Sequence, residues 1–77
     1  MKEKKKLVIT PLWERAQLLL SRKELELADD VLMTIIWRIA RYTQQGYSDD
    51  FKVENVKIGV WKERAWVAIE TNGLLPR

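Results

Sequence analysis

The side chains that most often do chemistry are scarce in this chain. Its 77 residues include no His and no Cys. That removes the usual general base at neutral pH, the thiol nucleophile, any disulfide and the commonest zinc ligands. The serines are Ser21, which reads as a helix cap, and Ser48, in a polar stretch; neither has an evident activating base. The carboxylate pairs Asp29-Asp30 and Asp49-Asp50 are adjacent in sequence. On a helix such neighbours diverge by about 100°, so they do not converge on one ion. In a loop they are ordinary turn residues. Gly46, Gly59 and Gly73 stand alone and make no phosphate-cradling loop. The expectation is a protein that is not an enzyme, with no catalytic residues, cofactor, metal or small-molecule substrate.

Residues suited to recognition are better represented. Four Trp are many for so short a chain. Trp13 falls on the inner stripe of a first helix and reads as core. Trp37 lies about 150° from the centre of the apolar stripe of a second helix, with Met33 one turn before it and Arg41 one turn after. Either the first helix folds back over this Met33-Trp37-Arg41 ladder or a partner covers it. Trp61 and Trp66 are expected to share the outer face of a C-terminal hairpin, ringed by Lys57, Lys62 and Arg64. Trp and Arg are favoured hot-spot residues, so Met33, Trp37, Arg41, Trp61 and Trp66 are the candidate partner contacts.

The elements that must position these residues follow from pattern. Leu7–Thr10 is a β-branched run. Thr10 is placed as N-cap and Pro11 as first helical residue of a helix reaching about Leu20. Ser21 with Glu24 three residues on makes a capping box for a second helix from Arg22 to about Gln45, ended by Gly46. Its stripe is Leu25, Ala28, Val31, Leu32, Ile35, Ile36, Ile39 and Thr43. Val53–Trp61 and Ala65–Thr71 alternate as strands around a turn at Glu63-Arg64. In that register Trp61 opposes Trp66, Val60 opposes Val67 and Lys57 opposes Glu70. The expected fold class is α+β: a short helix, a long helix and an antiparallel β-hairpin. Leu7–Thr10 is available as a third strand in a β-α-α-β-β order.

Size and charge narrow the function. One domain spans residues 7–77 behind a flexible basic tail at 1–6. A domain this small buries only roughly 60–65% of its unfolded surface, and association is one remedy for marginal stability. The net charge is +3. Lys2, Lys4, Lys5 and Lys6 supply four positive charges of the tail, and the remaining body is neutral. No secretory signal or run of about 20 apolar residues is evident, so a cytoplasmic, non-membrane protein is expected. The first functional expectation is a protein–protein interaction module, a homodimer acting through exposed Trp faces. The alternative is a nucleic-acid-binding regulator of winged helix-turn-helix type, with Arg38, Arg41, Lys57, Lys62 and Arg64 on phosphates.

Overall fold

A computed structural model describes residues 8–74 of the chain. The element order is α1 (Thr10–Ser21), α2 (Leu25–Gln44), β1 (Lys52–Val53), β2 (Val56–Lys57) and α3 (Ile58–Thr71). The α+β class is as expected, and two helices do precede an antiparallel hairpin. The hairpin, however, is the two-residue pairing Lys52↔Lys57 and Val53↔Val56. The stretch expected to form its strands is for the most part the third helix. Among the described residues the sheet has two strands. Val8 and Ile9 are not strand and Thr10 opens α1, so Val8–Thr10 adds no third strand; Leu7 and the basic tail lie outside the described residues.

The long central helix α2 carries the core. Ala28, Leu32, Ile35 and Ile39 are buried along it at helical spacing, and α1 and α3 both pack on it. α1 contributes Ala16 and Leu19, and α3 contributes Ile58, Trp61, Ala65 and Ile69. These last four recur at intervals of three and four residues, the period of a helix stripe. Of the adjacent carboxylates Asp29 and Asp30 on α2, Asp29 is buried and Asp30 exposed.

The reversal between α1 and α2 is built differently from the sequence expectation. Ser21 is the last residue of α1 rather than the N-cap of α2, and its hydroxyl donates to the carbonyl of Leu18 at 2.8 Å. The amide of Lys23 donates to Leu20 at 3.0 Å and that of Glu24 to Leu19 at 3.0 Å. This is the paired closure that ends a helix through one left-handed residue. That residue is Lys23, at φ 61°. Glycine takes this conformation without steric cost, whereas a side chain costs about 1–2 kcal/mol. Lys23→Gly is therefore expected to raise stability by about 0.5–1 kcal/mol, measured by urea denaturation at unchanged m-value.

The C-termini of α2 and α3 end in the same way. Gly46 (φ 97°) follows α2 as expected, and Gly73 (φ 70°) follows α3. The amide of Leu74 closes on the carbonyl of Ile69 at 2.8 Å. Asn72-Gly73 thus ends a helix, not a strand.

The N-terminus of α1 is capped from far away in sequence. Ile9, not Thr10, holds the cap position, and Pro11 falls within the first turn. No local side chain caps it. One carboxylate oxygen of Glu54, Oε1, accepts from the amide of Ile9 at 2.8 Å and from that of Thr10 at 2.7 Å. Glu54 and Asn55 are the two central residues of the β1–β2 turn, and both have positive φ (56° and 69°). Two-residue hairpins favour such turns because their twist matches that of the strands.

Candidate functional site

Of the four indoles, Trp37 alone is strongly exposed, at 68%. It sits in the second half of α2 on the side away from the buried stripe. With Thr34, Arg38, Ala40, Arg41 and Gln44 it lines a shallow depression of about 490 Å³. The expectation that Trp37 falls outside the main core is met; neither α1 nor α3 hides it. Met33, grouped with it in the sequence-derived ladder, is half-buried and packs against the core cluster instead. Arg41 lies in the last turn of α2, where a cation is favoured by the helix dipole.

The other sequence-derived surface does not form. Trp61 is 2% exposed, and its indole N–H donates to the carbonyl of Val53 at 2.9 Å. It is a core residue that ties α3 to the hairpin, not a member of an outer sheet face. Trp66 is half-buried and packs against the same core. Five residues apart on a helix, the two rings point roughly 140° from one another and cannot be cross-strand neighbours.

The cations expected on that face are dispersed and engaged. Lys57 lies 3.6 Å from Asp50 and Lys62 lies 3.7 Å from Asp49. The Arg64 guanidinium stands over the Trp61 ring at 5.4 Å. Arg38, on α2, donates through Nη1 to the Val8 carbonyl at 2.8 Å, holding the entry of the chain into α1. Asp49 and Asp50 therefore anchor a loop to the hairpin and α3. The backbone does the same, since the amides of Ile58 and Gly59 donate to the carbonyls of Phe51 and Asp49.

Sequence reasoning missed an aromatic cluster at that loop. Tyr42, Tyr47 and Phe51 are mutual ring neighbours, the closest pair being Tyr47 and Phe51 at 4.3 Å. Burial, then the nearby Tyr47 and Glu54, push the Tyr42 phenol above its ordinary value, while Arg38 opposes this. The available signal was three aromatic residues bracketing Gly46 within ten positions. The cluster packs the long connection onto the end of α2.

A second depression of about 580 Å³ runs between α1 and α3, lined in part by Trp13, Leu20, Val60 and Val67. Val67 is 51% exposed. Among the described residues, no three acidic side chains come together as a metal site, and no helix is long and apolar enough to cross a membrane. No family model, curated protein or solved structure matches the chain.

Proposed function

We propose that this chain is a non-enzymatic protein–protein interaction module that works through the outer face of α2, with a second copy of itself as partner. The observation that carries this reading is Trp37, a large indole 68% exposed on a rigid central helix. Exposing so much aromatic surface gives the isolated fold nothing, because the apolar area stays in water. Covering it on association recovers that area at low entropic cost, since the helix backbone is already fixed. Arg38 and Arg41 flank the ring, which is the side-chain chemistry enriched at interface hot spots. The absence of His and Cys from the sequence supports binding over catalysis.

Trp37→Ala is the direct test. Because the ring is exposed, thermal stability of the monomer is expected to change by no more than about 0.5 kcal/mol. Self-association, followed by light scattering across a concentration series, is expected to weaken by about thirtyfold or more, the scale of a hot-spot truncation. Equal association by the variant and the parent chain would refute this assignment of the surface.

A further inference from the structure

The outer face of α2 has an internal symmetry that specifies how a second copy would lie on it. Leu27, Asp30, Thr34, Trp37, Arg41 and Gln44 follow one another at alternating intervals of three and four residues. That spacing places them on one stripe of a helix, the spacing of a coiled-coil seam. All six belong to α2. All are exposed except Thr34, which is half-buried. The first half of the stripe carries the anion Asp30 and the second half the cation Arg41.

On the reading that α2 self-associates, we infer that two copies pair through this stripe in antiparallel fashion, about a two-fold axis passing between Ile35 and Ile36. In that register Leu27 faces Gln44, Asp30 faces Arg41 and Thr34 faces Trp37. Each pair straddles the same midpoint, so all three layers are satisfied at once and each occurs twice. The small Thr34 leaves room for the large Trp37 of the other copy. The two indoles meet at the centre, about 4.5 Å apart along the helix axis. Every Asp30 meets an Arg41, giving complementary charge at both ends of the seam.

A parallel pairing fails on the same residues. It sets Asp30 against Asp30 and Arg41 against Arg41, and like charges face to face are disfavoured. Sliding the antiparallel register by one heptad also breaks the match, because Arg41 then faces Trp37 or Lys23 in place of Asp30. A single helix pair is at the small end of interface sizes, so the expected assembly is micromolar and in exchange with monomer.

Charge reversal tests the register. Asp30→Arg and Arg41→Asp, each alone, place two like-charged pairs in the seam and are expected to weaken dimerisation by about tenfold or more. The double variant D30R/R41D swaps the charges and is expected to return to the affinity of the parent. The chain has no cysteine, so spin labels attached at Gln44→Cys report the geometry directly. Antiparallel helices put the two labelled positions about 25 Å apart along the axis; parallel helices would leave them about 8–10 Å apart across it. Dimerisation that needs Trp37 but ignores Asp30 and Arg41, or labels at the short distance, would overturn this register and leave the Trp37 interface standing. A chain that stays monomeric throughout would overturn both.

Discussion

Trp61→Ala is expected to unfold the domain or bring it to the edge of unfolding at room temperature. A chain of this length has roughly 4–12 kcal/mol of stability to lose. Removing a fully buried Trp typically costs about 3–5 kcal/mol through lost burial and the cavity left behind. At this site the indole N–H also donates to the Val53 carbonyl, a buried hydrogen bond that is lost with the ring. Trp61 packs in the same core cluster as Ile35, Ile39, Val53 and Ile58, so its loss loosens α3, α2 and the hairpin together. Chemical denaturation followed by far-ultraviolet circular dichroism checks this. The informative comparison is with Trp66→Ala, expected to cost only about 1–2 kcal/mol because that ring is half-buried. Equal effects at the two positions would contradict a helix over Ile58–Thr71, since a shared hairpin face would make the rings equivalent.

The second large effect is expected at Glu54. Its carboxylate takes two backbone amides at the start of α1, a charge-assisted cap that also meets the positive end of the helix dipole. Glu54→Ala removes both bonds and keeps an unfavourable positive φ, at an expected cost of about 2–3 kcal/mol. Glu54→Gln keeps an acceptor oxygen and is expected to lose about 1 kcal/mol. Glu54→Gly separates the two contributions. It relieves the turn while losing the cap, and so is expected to lie between the other two variants. Amide hydrogen exchange localises the effect, with opening expected at Trp13 and along the first turns of α1 before α2. Protection of α1 left intact in Glu54→Ala would show that the cap contributes nothing.

What the sequence made legible, and what it hid, follows from where two patterns overlap. The stripe of α2 was readable because Ala28, Leu32, Ile35 and Ile39 repeat over about three turns, and no strand reading accommodates them. Trp37 off that stripe was readable for the same reason. α3 was misread because Val56, Ile58, Val60 and then Val67 and Ile69 alternate, while Ile58, Trp61, Ala65 and Ile69 fit a helix equally well. Arbitration lay in the middle of the segment. Lys62-Glu63-Arg64-Ala65 are strong helix formers, and none is a residue that a tight hairpin turn requires.

The true turn was signalled by Asn55 between Val53 and Val56, with a Glu beside it in place of the usual Gly. The capping box at Ser21 and Glu24 lost to tertiary packing. Bringing Leu19 and Ala16 against α2 requires a sharp reversal, and Lys23 makes it in a left-handed conformation that propensity disfavours. Glu54 as the cap of α1 was beyond sequence reasoning, since the partners are more than forty residues apart.

The interface itself is tested most directly by a dilution series of two-dimensional amide spectra. Raising the protein concentration is expected to move the backbone resonances of Leu27, Asp30, Thr34, Arg41 and Gln44 together with the Trp37 indole N–H. The Trp61 indole N–H, hydrogen-bonded in the core, is expected to stay in place. Resonances of the α2 face that do not move with concentration, or movement confined to Val60 and Val67 in the groove between α1 and α3, would contradict an interface centred on Trp37.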